Sequence, residues 1–239
     1  MSRTILLLIF ISLFITGCGY SQTPPIKFGL FGALSLPTGN FSDDTKNFVD
    51  YPSSADGFAT LGFGAGLELI YPIGTPGLGW HTTAAFLYHG VDDKKLEELF
   101  GAYAEVDAGS YFLIPILTGL SYTAQLSPNI GLIIIGQGGL SLVQKTTMKV
   151  ESTYDYSFIE ANFDMATSFG FGIGAGFIFN DKFNISFRYL GLGEPEFEYT
   201  LEDADGDTYS DSFDLSVGAF LITAGIYFWL LKFYKLILL

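Results

Sequence analysis

The sequence contains a single cysteine, Cys18, so it cannot form an intramolecular disulfide or a cysteine-based metal cluster. It has only two histidines, His81 and His89, and contains no H-E-x-x-H, phosphate loop or G-x-S-x-G. Charge is sparse at 15% of residues, and basic residues are the scarcer kind, 11 against 25 acidic. A formal net charge of −14 repels phosphate backbones and argues against a nucleic-acid partner. Outside the two ends there is also no apolar run long enough for a spanning helix, although 49% of the residues are hydrophobic. Any membrane-spanning structure in the body of the chain must therefore be built from strands.

Glycine and aromatic residues are abundant, with 29 Gly and 17% aromatics, and they alternate. In Ser168 to Gly191, Phe169, Phe171, Ile173, Ala175, Phe177 and Phe179 are interleaved with Gly170, Gly172, Gly174 and Gly176, which is the two-residue period of a strand. After Asn180-Asp181-Lys182 the alternation resumes, with Phe183, Ile185, Phe187 and Tyr189 on one face and Asn184, Ser186 and Arg188 on the other. A three-residue loop pairs Phe179 with Phe183, joins the two aromatic rows on one face and sets Arg188 opposite Gly174. A soluble barrel would place the aromatic rows inside and leave bare glycine facing water. A membrane barrel turns the aromatic rows toward lipid and uses the small residues to line a narrow lumen, which suits a glycine face better.

The same alternation recurs along the chain. Ile26 to Leu36, Thr60 to Tyr71, Trp80 to Gly90, Tyr111 to Thr123, Ile130 to Val143 and Phe213 to Leu230 read as further strands, eight in all with the opening pair. Pro115 removes a ladder donor and implies a bulge. Tight connections alternate with long loops at Pro37 to Ala59, Val91 to Ser110, Gln144 to Asp164 and Leu192 to Ser212, and Asp92 is placed to cap a short helix carrying Leu96, Leu99 and Phe100. All the acidic residues except Glu68 and Asp181 lie in or at the edges of these four loops. The fold expected is all-β, an eight-stranded antiparallel up-and-down transmembrane barrel over residues 22–230, with short periplasmic turns and four long extracellular loops. A secreted soluble β-barrel is the alternative.

The ends read differently. Residues 1–21 have the layout of a secretory signal, with Arg3 followed by the apolar run Ile5 to Ile15 and then small residues. Ile15-Thr16-Gly17-Cys18 resembles a lipoprotein lipobox, which would make Cys18 the lipidated first residue; ordinary cleavage after Ser21 is the competing reading. Residues 231–239 form a short hydrophobic tail, and a terminal transmembrane helix from Ala219 to Leu239 is a rival to the last strand.

Leu36-Pro37-Thr38-Gly39-Asn40-Phe41 and Tyr111-Phe112-Leu113-Ile114-Pro115 are similar to recurrent features of the small eight-stranded outer-membrane β-barrel proteins of Gram-negative bacteria, which include adhesin-like and wall-anchoring barrels. The closing strand also resembles their assembly signal, through Thr223, Gly225, Phe228 and Leu230. The resemblance implies a location in the cell outer membrane, a monomer, and contact with outer-membrane lipid, lipopolysaccharide and the barrel assembly machinery.

Three groups of residues are candidates for function. Glu68 and Arg188 lie on inward faces at similar depth and are expected to pair across the lumen. Asp203, Asp205, Asp207, Asp211 and Asp214 stand at positions 1, 3, 5, 9 and 12 of an EF-hand-like loop and could hold calcium, against the simpler reading of a solvated acidic hairpin tip. His81 and His89 share the inward face of the third strand without a nucleophile motif, so no enzyme is expected. Eight strands leave a lumen filled by side chains, so no porin-like channel is expected to be open. The function expected is a structural or surface-interaction, adhesin-like role carried by the acidic loops. The alternatives are a carrier of a small apolar ligand through a lateral opening and a lipid-modifying barrel enzyme.

Overall fold

The computed structural model of the chain describes residues 25–43, 56–74, 76–100, 104–154 and 157–229. Eight strands close a barrel: β1 (Lys27–Thr38), β2 (Ala59–Pro72), β3 (Leu78–Val91), β5 (Ser110–Ser127), β6 (Ile130–Lys145), β9 (Ala166–Phe179), β10 (Phe183–Gly191) and β13 (Gly218–Trp229). Their order around the wall is β1-β13-β10-β9-β6-β5-β3-β2, every pair is antiparallel, and β1 pairs with both β13 and β2. Closure leaves the barrel with no free edge.

Local chemistry explains the elements. Between β9 and β10, Asn180 and Asp181 both adopt positive φ, and Lys182 N–H donates to the Phe179 carbonyl, which closes a tight turn. The turn fixes the register, pairing Phe179 with Phe183 and Arg188 with Gly174. Asp92 precedes helix α1 (Asp93–Phe100), and its carboxylate accepts the Lys95 N–H, so this short helix starts on an N-cap.

The sidedness of the alternation is clear. Leu30, Leu34, Leu61, Phe63, Phe86, Ile116, Ile134, Phe169, Phe171 and Phe187 are exposed on the outer wall, while Gly172, Gly176, Ser186 and Arg188 are on the inner side. Phe187 is 63% exposed, a level a soluble protein would not repeat over a whole surface. The soluble-barrel reading needs these rows inside and is thereby removed. Aromatic side chains gather toward both ends of the outer wall. Trp80, Tyr122, Phe183 and Phe228 lie toward the tight turns, and the neighbouring rings Phe63, Tyr88 and Phe112 toward the other end, with centroids 5.3 and 5.5 Å apart. This is the two-girdle distribution of a barrel exterior.

Several expectations from the sequence need correction. The last barrel strand starts at Gly218 and not at Phe213, which belongs to β12 (Thr208–Asp214). β13 is extended and hydrogen-bonded on both sides, by β1 and β10, so the terminal-helix reading of Ala219 to Leu239 fails over the described part. No helix among the described residues is long and apolar enough to cross a membrane. At Pro115 there is no bulge. β3 and β5 keep one register, Ala84 with Ile116 and Leu87 with Leu113, and only the pairing steps between them are missing. The register shifts lie instead between Ala59 and Gly62 and between Gln125 and Ser127.

The largest departure concerns the long connections. Three of them fold together into a second sheet of order β12-β11-β8-β7-β4, from β4 (Ala104–Asp107), β7 (Met148–Ser152), β8 (Phe158–Phe163) and β11 (Glu196–Asp203) with β12. The alternation Phe197, Tyr199, Leu201 against Glu196, Glu198, Thr200 and Glu202 gives β11 one apolar face, and acidic residues cover the other. Helix α1 braces this sheet, with Asp93 accepting the Ala108 N–H at 3.0 Å and Leu96 buried beneath it.

Candidate functional site

The lumen has three layers. Toward the tight-turn end, Ile70, Ile133, Ile135, Ile178 and Tyr227 form one apolar cluster. Toward the opposite end, a larger cluster runs from Phe31, Ala85 and Leu117 through Leu87, Tyr111 and Leu113 to Phe41, Leu192, Phe197 and Leu215. Between them lies a polar layer centred on Glu68.

Glu68 stands on the inward parity of β2 and Arg188 on that of β10, and the structure places the Arg188 Nη2 directly against Glu68 Oε1. The second carboxylate oxygen accepts the Tyr227 hydroxyl at 2.7 Å, and His81 Nε2 lies 3.7 Å from the first. Arg188 Nε donates to Ser186 Oγ at 2.9 Å, which shares a 2.6 Å hydrogen bond with Thr223, and the guanidinium sits 5.5 Å from the centre of the Phe31 ring. Beside this group, Gln137 donates to the His81 carbonyl at 2.9 Å and bonds the Thr83 hydroxyl. A buried ion pair survives only when its remaining donors and acceptors are satisfied, and this network meets most of that demand. Tyr227 escapes notice as a partner when Thr223 to Leu230 is read only as an assembly signal, although its parity with Thr223 sets it inward.

Among the described residues the lumen is filled by side chains. The enclosed cavity between Phe31, Gln137 and Arg188 offers about 10 Å³, at most one water. At the sheet end Phe41 is fully buried, with its ring 5.1 Å edge-on from both His89 and Tyr111. Phe197 of β11 packs 6.4 Å from Tyr111 and stacks on Phe213 at 5.4 Å. The second sheet thus inserts its apolar face into the barrel mouth. Lys145 is buried there, with its ammonium 4.8 Å over Phe163 and 5.2 Å over Tyr111. His89 is held by a 2.9 Å contact from Nδ1 to the Thr60 carbonyl.

The aspartate series is not gathered at one point. Asp203 Oδ1 accepts the N–H groups of Asp205 and Asp207 at 3.0 and 2.9 Å, so its carboxylate closes the β11–β12 turn. Asp211 and Asp214 lie along β12, opposite Tyr199 and Glu196, and an extended strand carries them away from the turn by about 3.3 Å per residue. Among the described residues no three His, Cys, Asp or Glu side chains converge on a point that could hold a metal. Burial, and next the Asp211 carboxylate, hold the Tyr199 phenol above its ordinary range.

Of the residues resembling an assembly signal, Thr223 and Gly225 line the inner wall and Phe228 the outer. Leu230, Cys18, the signal segment and the 231–239 tail lie outside the described residues.

A closed eight-stranded antiparallel wall with an apolar, aromatic-banded exterior and a filled interior has the architecture of the small outer-membrane β-barrels. Solved structures share it. Over 86% of this chain and 100% of its own length, a major outer membrane protein from Thermus thermophilus is similar at 10% identity with a TM-score of 0.50. The attachment invasion locus protein Ail of Yersinia pestis gives 15% identity and a TM-score of 0.44 over 87% of this chain and 100% of its own. Neisserial surface protein A gives 10% and 0.40 over 87% and 98%. No protein-family model and no curated protein matches the sequence. The fold rests on the strand order and on the Thermus protein.

Proposed function

We propose that the chain spans the bacterial outer membrane as a monomeric, non-enzymatic barrel that displays a folded acidic sheet for binding at the cell surface. The observation that carries this reading is the division of labour between the two sheets. The barrel is plugged at both ends, so its lumen is a scaffold, while the long connections have been made into ordered structure. Loops that served only to join strands would not need a five-stranded sheet braced by a helix and seated on Phe197.

The sheet is acidic where it faces outward, through Glu196, Glu198, Glu202 and Asp214, so the partner that suits it presents cations. The tight-turn end faces the periplasm in this reading, the orientation taken by barrels with short turns on that side. Outer-membrane lipid, lipopolysaccharide and the barrel assembly machinery are then the remaining contacts. An enzymatic role finds no support in His81 and His89, both enclosed in the plugged lumen.

The test has two stages. Outer-membrane fractionation with heat-modifiable gel migration examines the span. Nanodisc-held protein is then assayed for salt-sensitive binding to poly-lysine, compared with a variant in which residues 196–214 are replaced by a short turn. A variant that inserts normally and binds equally well would remove the sheet from the role.

A further inference from the structure

The outer wall carries one cleft unlike the rest of the apolar belt, at the sheet-end rim of β9, β10, β13 and β1. Four outward positions stand in register there, Phe171, Gly191, Gly218 and Thr38, so that two positions with no side chain lie between an aromatic ring and a hydroxyl. Three strand spacings separate the ends of that row, about 14 Å. Side chains at the two glycines would crowd the cleft. A Cβ on Gly191 would meet the Phe171 ring, and one on Gly218 would come 2.8 Å from Thr38 Oγ1 and 3.2 Å from the Tyr189 hydroxyl.

The open cleft offers about 630 Å³, within the size range of a small-molecule site. One side is aromatic, from Phe171, Tyr189 and Phe169, and Phe169 is 81% exposed. The other side and the roof are polar, from Thr38, Ser216 and Glu194. The roof is fixed by backbone bonds, Leu192 N–H to the Val217 carbonyl at 2.7 Å and Val217 N–H to the Gly193 carbonyl at 2.9 Å.

We propose that this cleft binds the uncharged sugar headgroup of a membrane glycolipid. A pyranose ring offers C–H groups to an aromatic face and hydroxyls around its edge, which matches one aromatic wall facing hydroxyl and carboxylate acceptors. Charge sets the class. Among the described residues the lining includes Glu194 and no Lys, Arg or His, so a phosphorylated headgroup would meet a carboxylate with no described cation beside it. Position sets the attachment. The cleft opens on the outward wall, where exposed Ile173 continues the apolar surface of β9 below it, so the ligand's chains would lie along the barrel while its sugar occupies the rim. The lipid-linked part rests on the membrane span proposed above.

The experiment uses the mature protein in phosphatidylcholine nanodiscs with and without dihexosyl diacylglycerol, and native mass spectrometry reads the retained lipid. Heat-modifiable migration is checked first, since a chain that does not insert overturns the membrane reading and this proposal with it. Wild type is expected to retain the dihexosyl lipid over phosphatidylcholine. Phe169→Ala and Thr38→Val should each lower retention at least tenfold, while Phe187→Ala, on the same outer wall away from the rim, should leave it unchanged. Equal retention in all the variants, or equal retention of phosphatidylcholine, would overturn the site. Displacement by free maltose at the concentration that saturates with the dihexosyl lipid would overturn the lipid-linked part and assign a free saccharide.

Discussion

Arg188 and Glu68 belong to strands that do not touch: in the wall β10 is separated from β2 by β13 and β1, yet their side chains meet across the lumen. The contact joins strands three steps apart around the wall, and removing one partner strands a charge in a closed interior. Glu68→Ala should therefore destabilise the barrel by about 3 to 5 kcal/mol, read as a lower urea midpoint in detergent. Glu68→Gln should cost less, because an amide oxygen still accepts from Arg188 or Tyr227. A midpoint for Glu68→Ala equal to wild type would remove the pair as a determinant of stability.

The outer wall gives a second expectation. Phe187 lies in the middle of β10 and faces outward, whereas Gly172 faces inward, where an added Cβ would stand 3.1 Å from the ends of Leu117 and Leu190. A cationic side chain on a barrel exterior near the bilayer midplane costs roughly 2 to 4 kcal/mol. Phe187→Arg should sharply reduce the folded, heat-modifiable fraction, while Gly172→Ser should cost much less because both leucine side chains can turn aside. The reverse order would mean that the faces are inverted.

The ease of reading the faces and the difficulty of reading the loops have the same physical origin. In β9 and β10 the period-two contrast is between aromatic and glycine or polar side chains, so both the strand and its sidedness are visible. Glu68 and Arg188 are legible as a pair because a charge on an inward parity needs a partner at its own depth. In β11 the alternation is just as regular, but every second residue is acidic or polar, and such a segment also fits a solvated loop. The false start of the last strand at Phe213 has another cause. Phe213, Leu215, Val217, Ala219 and Leu221 keep one parity without interruption, and the break is made by contacts distant in sequence, including Leu215 N–H to the Pro195 carbonyl. Phe31 shares the inward parity of Gly29, Ala33 and Ser35 in β1, but that parity alone does not tell that its ring lies beside the Arg188 guanidinium.

Two neighbouring glycines test the narrowness of the wall. A Cβ on inward Gly119 of β5 would strike the Gly136 carbonyl oxygen and stand 2.7 Å from Gln137 Cα, both backbone atoms that no rotamer change can move. A Cβ on Gly136 of β6 would point outward and meet nothing within 4 Å. Gly119→Ala should lose about 1 to 3 kcal/mol by overpacking. Gly136→Ala should be close to neutral, and matching urea midpoints for the two would contradict the register of β5 on β6.

The β11–β12 hairpin should behave as a hydrogen-bonded turn and not as a metal loop. Asp203 accepts two backbone N–H groups, so Asp203→Ala should open the tip locally by about 1 to 3 kcal/mol, seen as faster amide exchange at Asp205 and Asp207. Asp203→Asn keeps a carbonyl acceptor and should be milder. Calcium should leave these exchange rates unchanged in wild type. Protection that rises with calcium and vanishes in Asp207→Asn would restore the cation reading.

The last expectation concerns the plug at the sheet end. An eight-stranded wall encloses only enough space for its own side chains, and here the mouth is further closed by Phe41 from the first long connection and Phe197 from the second sheet. Both rings pack on Tyr111, so they seal from different connections against one anchor. In a planar bilayer the wild-type protein should show no steady conductance. Phe41→Ala with Phe197→Ala would remove two buried aromatic side chains, each worth about 3 to 5 kcal/mol to a core. That variant should lose protease resistance in the second sheet while the barrel below stays folded and heat-modifiable, because the Glu68 layer and the isoleucine cluster at the other end are untouched. It should still not conduct, since Ile133, Ile135, Ile178 and Tyr227 continue to block the lumen. Steady channels in the double variant would show that the sheet-end plug alone keeps the lumen shut.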